Sequence, residues 1–521
     1  MNDLNLTVSG KIMKDKHVTR WTNQFSEQME VRLDKRKKLE ESGSNPYKNG
    51  LKPNTNFDYL VKEYSEKTKE EIGETPRFKV AGRVLMVRDF GKAAFLQCDD
   101  GTSRFQLYVN KQVTSEKGFA EYKLLDYGDI IYAEGDVFKT MKGELALNAR
   151  ELMIVTKSIR PLPEKFHGLT DAELRYRMRY VDMIMNPETR DKLRKRSEIV
   201  RYIREHFYRN DFLEVETPMM HSVAGGAAAR PFMTHHNALN MELFMRIAPE
   251  LHLKRLIVGG YNKVFEMNRC FRNEGLSLKH NPEFTTVEFY WAYATYHDLM
   301  DFTEELLTGI ATHVIKSEVV KFGEHEINLK GPYARLTMRE AVAKYTGSTM
   351  EQVNDRAHLL SILKDVDMDP KKRDALSWGK LLVLAFEEKV EGKLIQPTFI
   401  TEYPTEVSPL SRRNDENPDF VDRFEFFMNG WEVANAFSEL NNPTDQLERF
   451  ADQAMAKEAG DDEASDVDYD FVRALEYGMP PTAGQGIGID RLVMILTDSS
   501  TIRDVILFPL LKKETFTNEE E

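Results

Sequence analysis

Val264-Phe-Glu-Met-Asn-Arg-Cys-Phe-Arg-Asn-Glu-Gly275 and, just after it, His280-Asn-Pro-Glu-Phe-Thr-Thr-Val-Glu-Phe-Tyr290 decide how this chain is read. In the first run, residues 263–273, apolar Val264, Phe265, Met267 and Phe271 stand among polar residues, which suits a strand beside a working surface. Arg272 and Glu274 fall near its end. In the second run, residues 283–291, Phe284, Thr286, Glu288 and Tyr290 alternate with Thr285, Val287 and Phe289. A pleated strand has a period of two, so one face would carry an aromatic ring, a carboxylate and a phenol. Residues 275–282 between the runs are polar, with Lys279 and His280 available, and read as a loop over a small anionic ligand. Arg272 is expected to be buried there, and its planar fork suits phosphate because it donates two parallel hydrogen bonds. Taken singly, each of these residues reads equally well as an exposed charge on an ordinary sheet.

The combination is more specific. Phe271-Arg-Asn-Glu-Gly275 followed by His280-Asn-Pro-Glu-Phe284 resembles motif 2 of the class II aminoacyl-tRNA synthetases, a strand–loop–strand that grips ATP. Gly486-Ile-Gly-Ile-Asp-Arg491-Leu-Val-Met-Ile resembles motif 3 of the same class, a glycine-rich strand turning into a helix that carries an arginine. Within the class the likeness is to the lysine-specific branch, subclass IIb, and it runs from about residue 75 to about residue 513. Met245-Arg-Ile-Ala-Pro-Glu-Leu-His-Leu-Lys254, Gly225-Gly-Ala-Ala-Ala-Arg-Pro-Phe232 and Asn435-Ala-Phe-Ser-Glu-Leu-Asn441 look like its substrate-site segments. The resemblance implies an α+β chain, an N-terminal OB-fold β-barrel followed by a class II catalytic domain on an antiparallel sheet flanked by helices. It also implies ATP-dependent attachment of L-lysine to its tRNA through a lysyl-adenylate, releasing AMP and pyrophosphate.

Composition is compatible with this. A chain of 521 residues, 41% hydrophobic, has length for several cores, since single domains commonly run to roughly 100–200 residues. A net charge of −13 argues against a simple polycationic nucleic-acid binder, although local basic patches still permit tRNA. Arg32, Lys35, Arg36, Lys37 and Lys38 form one such run, while Asp461, Asp462, Glu463, Asp466, Asp468 and residues 519–521 concentrate acid near the end. Cys98 and Cys270 are the only cysteines, so neither a disulfide framework nor a cysteine zinc site is supported, and a reducing cytoplasm is expected. The first twenty residues lack the apolar core of a signal peptide, and no run approaches the roughly 20 apolar residues that span a bilayer. There is no H-E-x-x-H and no G-x-x-x-x-G-K-[ST], so ATP would be held without a phosphate loop of that kind.

Four segments are expected: an extension over residues 1–74, an anticodon-binding OB barrel over 75–157, a linker over 158–183 and the catalytic domain over 184–521. The extension is partly helical, with a charged helix from about Trp21 to about Glu41 stopped by Ser42-Gly-Ser-Asn-Pro46; it reads first as a solvated helix and alternatively as a basic helix steering RNA. The barrel region offers β runs at 79–87, 94–98, 104–109, 129–133, 144–148 and 151–155, turns at Asp99-Asp-Gly101 and Lys142-Gly143, and a long interruption after the third run. Residues 189–208 show helical spacing, and residues 212–218 read as a strand ending in Pro218. Together they resemble motif 1, which builds the homodimer interface in the class. Residues 322–413 look like a less regular insertion.

The resemblance assigns roles. Arg272 is implied to hold the α-phosphate and the lysine carboxylate, Glu274 the adenine amino group, and Phe284 with Arg491 the faces of the adenine ring. His280 and Asn281 would meet the triphosphate. Glu425 and Glu432 match the family's metal carboxylates, which implies Mg²⁺ held jointly with substrate phosphates and places Glu432 among the ATP contacts. Glu250 and the Gly226 backbone would receive the lysine α-amino group. Glu288 and Glu439 would face the ε-ammonium, because a buried charge needs anionic partners, with Tyr290, Asn435 and Phe437 shaping the slot. Ala434 and Ala436 depart from glycines common in the family and are expected to place methyl groups near the pocket. In the barrel, Phe95, Gln106 and Glu144, with Arg88, would hold the anticodon's central uridine. A ligase that joins lysine to a protein is the nearest enzyme alternative, against which the barrel counts. A non-catalytic RNA-binding relative is the other, against which Arg272 and Arg491 count.

Overall fold

The computed structural model describes residues 27–163, 169–227, 229–458 and 466–512. The chain divides into two compact units, Met1–Leu169 with Lys512–Glu521, and Thr170–Leu511.

The first unit is a closed five-stranded barrel. Its strands are β1 (Phe78–Asp89), β2 (Ala93–Asp99), β3 (Arg104–Asn110), β4 (Ile130–Lys139) and β5 (Leu145–Thr156), in the order β1-β2-β3-β5-β4 with β4 returning to β1. Alternation drives it: Val80, Val84, Ala94, Leu96, Leu107 and Val109 face a common apolar interior, while their strand neighbours face outward. The long interruption after β3 holds a short helix, Glu116–Tyr122, capped by the Ser115 hydroxyl. One expectation needs correcting. The runs at 144–148 and 151–155 are a single strand, because Ala149 pairs with Gly135 and Glu151 with Glu134, leaving Arg150 as the extra residue of a bulge.

Before the barrel, a helix spans Glu27–Glu41; the part of the expected helix before it lies outside the described residues. Four of the five cations of its basic run are occupied, while Lys37 is exposed. Arg32 is buried and donates to the carbonyls of Tyr127 and Ser158, Lys35 pairs with Asp126 at 2.7 Å, Lys38 with Asp34 at 2.6 Å, and Arg36 with Glu40 at 3.6 Å. The run therefore holds this unit together and balances its own acids, which favours the solvated-helix reading over RNA steering.

The second unit contains β6 (Leu213–Glu214), β7 (Met220–His221), β8 (Met233–His236), β9 (Met241–Met245), β10 (Lys263–Phe271), β11 (Glu283–Ala292), β12 (Val319–Phe322), β13 (His325–Asn328), β14 (Ala334–Thr337), β15 (Thr398–Pro404), β16 (Phe420–Met428), β17 (Trp431–Ser438) and β18 (Thr482–Gly488). Eight of them form one sheet in the order β14-β15-β16-β17-β18-β11-β10-β6. The six central strands pair antiparallel as expected, but both edge pairs, β14 with β15 and β10 with β6, are parallel, so the sheet is mixed. The strand expected over 212–218 is reduced to the two residues of β6.

One sheet face is covered by the helices Pro187–Arg209, Tyr296–Ile310 and Ile489–Leu496. Phe265 and Phe289, directly paired across β10 and β11, point to that side and meet Phe207 at centroid separations of 4.5 and 4.9 Å. Each such ring, fully buried, contributes about 2–3 kcal/mol. Because side chains alternate, the same register sends Glu288 to the opposite face. The packing that fixes the helices thus fixes the polar face. Residues 322–413 are more regular than expected: Met338–Thr346, Arg356–Ile362 and Trp378–Lys389 form helices around a separate core that includes Val342, Leu359, Leu381 and Phe386, packed with Ile400 of β15 and Phe427 of β16. Among the described residues no helix is long and apolar enough to cross a membrane.

Candidate active site

The uncovered face of the sheet holds a cavity of about 230 Å³ whose floor is three adjacent strands. β11 contributes Phe284, Thr286, Glu288 and Tyr290, the set aligned by alternation. β18 lies beside it with Gly488 opposite Thr286, Gly486 opposite Glu288 and Gly484 opposite Tyr290. β17 continues the floor with Asn435 opposite Gly486 and Phe437 opposite Gly484. Glycine at every second position removes the side chains of one face and lets a ligand approach the backbone. At Gly484 the requirement is steric, since a Cβ there would overlap Glu439 Oε1 and the ring of Tyr290.

Phe284 and Tyr290 stand six positions apart on β11, about 20 Å of strand, and the two ends of the cavity differ in charge. Toward Tyr290 it is acidic. Gly226, at φ +91° and thus in a conformation that favours glycine, Glu250, Glu288, Asn435 and Phe437 line it there. Burial, reinforced by the Glu250 carboxylate, pushes Glu288 up to about 8. Burial first, then Glu250, Glu288 and Glu439, pushes the Tyr290 phenol well above its ordinary value. Glu439 departs from expectation. It does not line the cavity but closes it from behind Gly484, fully buried and ion-paired through Oε2 to Lys254, with Oε1 lacking a hydrogen-bond partner among the described residues.

The Glu288 shift has a sign that can be followed. With the free-pocket carboxyl at about 8, a bound ammonium favours the ionised form, so binding an amino acid cation releases a proton below that pH. KM for the amino acid should fall by about tenfold per pH unit from pH 6 toward 8 and flatten above. Pyrophosphate-exchange kinetics across that range measure it, and a KM independent of pH would contradict the assignment.

Toward Phe284 the cavity is cationic. Arg272, just past β10, lies with its guanidinium carbon 5.2 Å from the Phe284 ring centroid, and its Nε is buried with no hydrogen-bond partner among the described residues. It is half-buried, not buried as expected, because the chain leaves the sheet after Phe271 and turns into the loop. His280 is braced twice: Arg491 Nη2 donates to its Nε2 at 2.9 Å, which leaves the proton on Nδ1 to reach Ser277 Oγ, also at 2.9 Å. Burial and then the Arg491 charge hold the imidazole below its usual value, consistent with this neutral ring. Arg491 also donates to the Glu432 carbonyl at 2.8 Å. Its neighbour Asp490 accepts from the Thr285 N–H at 2.7 Å, tying the start of the helix Ile489–Leu496 to β11. Asn281 spends its amide N–H on the Glu283 carbonyl, leaving Oδ1 buried without a partner among the described residues. Exposed Glu274 also borders the cavity.

Glu425 and Glu432 lie on the hairpin of β16 and β17, whose turn residues Asn429 and Gly430 have φ of +56° and +65°. Val433 is a bulged residue there, since Phe427 pairs with Glu432 and Phe426 with Ala434. Both carboxylates border a second cavity of about 440 Å³ that shares Lys279, His280, Glu432 and Arg491 with the first. Burial and then the Glu432 charge push Glu425 up to about 7, although Arg423 reaches it at 2.5 Å. Two facing acids whose repulsion Arg423 offsets only in part fit a hard cation that takes its remaining ligands from phosphate or water. Among the described residues no cluster of three or more acidic, histidine or cysteine side chains stands ready to hold a metal alone.

Sequence reasoning missed Gly484 and Lys254, whereas Lys279 was legible only as an available cation of the loop. The spacing Gly484-x-Gly486-x-Gly488 was a signal for the first. Lys279 lies 4.8 Å from the Trp431 ring centroid and borders both cavities. Both alanines are in the helix-side core; Ala434 also borders the pocket, whereas Ala436 does not, so only one of the two expected methyl groups is near it.

On the barrel, Phe95 alternates with inward Ala94 and Leu96 and is half-buried outside the core. Its ring lies 4.9 Å from Tyr108, which lies 5.8 Å from Phe138, a short aromatic platform on the outer face. Arg88 pairs with Phe95 across β1 and β2 and is exposed, while Gln106 Nε2 reaches a Glu144 carboxylate oxygen at 3.5 Å.

Comparison with known proteins converges on one family. Residues 171–512 match the family described as tRNA synthetases class II (D, K and N), and residues 78–155 match the OB-fold nucleic acid binding domain. A lysine–tRNA ligase of Aromatoleum aromaticum is 54% identical over 453 residues, covering 87% of this chain and 90% of that protein. One from Pseudomonas fluorescens strain Pf-5 is 51% identical over 505 residues, covering 96% of this chain and 100% of the relative. One from Dichelobacter nodosus is 50% identical over 484 residues, with 93% and 97% covered. With an OB barrel, a glycine-floored cavity on a class II sheet and these relatives, the chain belongs to the lysine–tRNA ligase family of class II aminoacyl-tRNA synthetases.

Proposed function

We propose that this protein activates L-lysine with ATP and transfers it to the tRNA specific for lysine. The carrying observation is the charge division of one cavity: Glu250 and Glu288 at the Tyr290 end, Arg272, Lys279 and Arg491 at the Phe284 end. Lysine offers two ammonium groups and a carboxylate, and this arrangement orients it with the carboxylate toward the nucleotide. Glu250 with the Gly226 backbone takes the α-ammonium. Glu288 and the closed end formed by Tyr290, Asn435, Phe437 and Glu439 take the ε-ammonium.

Arg272 bridges the halves. Its unpartnered Nε and its fork hold the lysine carboxylate against the α-phosphate, so that attack forms the acyl-phosphate bond as pyrophosphate leaves. Phe284 and Arg491 cover the adenine, Glu274 accepts from its amino group, and His280 and Asn281 meet the outer phosphates. The ribose hydroxyl of tRNA then attacks the acyl carbon and AMP departs. No covalent enzyme nucleophile is required; positioning and charge neutralisation carry the rate. Mg²⁺ held by Glu425 and Glu432 with the phosphates would neutralise charge on the phosphate oxygens.

The barrel selects the tRNA. Phe95 stacks a base and Gln106 and Glu144 pair its edge, with Arg88 beside them on a phosphate. Phe95→Ala should raise KM for tRNA by about 10–100-fold, the worth of one stacked base, and leave pyrophosphate exchange unchanged. A change in exchange but not in tRNA charging would sink that role. A homodimer is supported by exposed Leu213 on the edge strand β6 and exposed Met220 and Met233 on the small sheet β7-β9-β8.

The reading is tested by exchange of labelled pyrophosphate into ATP with each of the twenty amino acids. Lysine alone should support exchange. Exchange with aspartate or asparagine, or with none, would overturn it.

A further inference from the structure

Behind the acidic end of the cavity lies a lysine that no role in binding or chemistry has yet used. Lys254 follows Glu250 by one helical turn on the helix Glu250–Val258, so both side chains project to the same face. Its side chain has no solvent exposure, and Nζ lies 2.5 Å from Glu250 Oε1 and against Glu439 Oε2. The rings of Phe437 and Phe471 stand 5.5 and 5.7 Å from the ammonium. A fully buried ammonium placed for one salt bridge alone would gain little, because the desolvation of both partners consumes the attraction. This one instead joins two carboxylates that the proposed lysine site uses.

Resting on that site assignment, we propose that Lys254 is a positioning residue, an internal counter-ion that fixes how much positive charge the amino acid pocket accepts. Three carboxylates converge there: Glu250, Glu288 and Glu439. Facing them are Lys254 from the helix of Glu250, Tyr290 from β11, Arg272 from the end of β10, and Arg246, which is already paired at 2.6 Å with Glu266. With Arg272 committed to the substrate carboxylate, Lys254 balances one of the three acids. Two negative charges remain, matching the two ammonium groups of lysine. A neutral side chain of the same length leaves one acid without a partner, and an unpaired buried charge is strongly disfavoured. The ion pair also holds Glu439 so that Oε1, not Oε2, faces Gly484 and the pocket.

The titration behaviour agrees with the geometry. Burial lowers the Lys254 ammonium, but Glu250 and Glu439 outweigh it and the net direction is upward, so the side chain stays charged. Burial pushes Glu439 up, and Lys254 opposes that push. Removing the Lys254 charge therefore forces an additional proton onto the carboxylates of the free pocket.

The test compares wild type with Lys254→Met, which keeps the length and apolar stem, by calorimetric lysine binding in two buffers of different ionisation enthalpy and by pyrophosphate exchange. Lys254→Met should release the same number of protons per lysine bound as wild type, with an unchanged slope of log KM for lysine against pH between pH 6 and 8, because two ammonium groups still ionise only two acids and the third keeps its proton in the free and the bound pocket. KM for lysine at pH 7 should rise by about 10–100-fold, KM for ATP should change less than twofold, and the preference for lysine over norleucine should fall by at least tenfold. One more proton released by Lys254→Met than by wild type would show that Lys254 does not set the charge of the pocket and would overturn the proposal, and KM for lysine and ATP rising together would leave Lys254 a structural pair. If Lys254→Met does not fold, Lys254→Gln carries the same comparison. Wild-type protein that fails to bind lysine would instead overturn the site assignment itself.

Discussion

Arg272→Ala should lower the rate of lysyl-adenylate formation by about 10³–10⁴-fold, a loss of about 4–5 kcal/mol of transition-state stabilisation, while leaving the protein folded. Both halves of this expectation follow from its surroundings. Its guanidinium has the Phe284 ring for company and a buried Nε without a hydrogen-bond partner among the described residues, so truncation removes little from the fold. In the reaction it would contact attacking carboxylate and α-phosphate together, where charge rearranges. The loss should appear in kcat for pyrophosphate exchange more than in KM for lysine, since the ammonium groups keep their partners. Thermal unfolding should move by no more than about 1 °C, equivalent to under about 1 kcal/mol for a unit of this size. An Arg272→Ala protein that exchanges pyrophosphate within tenfold of wild type would remove the residue from the centre of the mechanism.

Gly484→Ala should damage the other end of the cavity. Its Cβ would overlap Glu439 Oε1 and the Tyr290 ring, and neither neighbour can retreat: Glu439 is pinned by Lys254, and Tyr290 is buried among the strands. The expected cost is about 1–3 kcal/mol of stability from overpacking. KM for lysine should rise by at least about 100-fold, with KM for ATP little changed, because the obstruction lies where the ε-ammonium is placed. Gly486→Ala is the internal comparison. A Cβ there meets only Glu288, at 3.5 Å from Cγ, an ordinary contact, so its KM for lysine should change by less than about tenfold. If the two variants behaved alike, the closed end would not be the lysine end.

The polar face was legible because it depends on local regularity. Strand alternation from Phe284 to Tyr290 aligns four lining residues from sequence alone, and Gly484, Gly486 and Gly488 repeat with the same period on the neighbouring strand. Cavity-lining positions for Arg272, Glu274, His280, Asn281, Phe284, Glu432 and Arg491 followed the motif resemblance residue by residue. What escaped was non-local. Glu439 was read as a free acceptor, yet its partner Lys254 belongs to a distant helix, and nothing in either segment announces the pairing. The basic run after Arg32 likewise looked available because Tyr127, Ser158 and Asp126, which engage Arg32 and Lys35, come much later in the chain. In β5 the polar pair Asn148 and Arg150 looked like a gap, although a bulge keeps the strand continuous. Residues 322–413 looked irregular because their helices are short, several of them under ten residues, which gives periodicity few turns in which to show.

The most direct measurement is transfer of labelled amino acid, with ATP, onto tRNA bearing a UUU or CUU anticodon, run in parallel with lysine, aspartate and asparagine, the three amino acids of the matched family. The account predicts charging by lysine alone, lost when the anticodon's central uridine is replaced. Charging by aspartate or asparagine would contradict the acidic pocket as the selector, and lysine-dependent exchange without transfer to this tRNA would contradict the barrel's assignment.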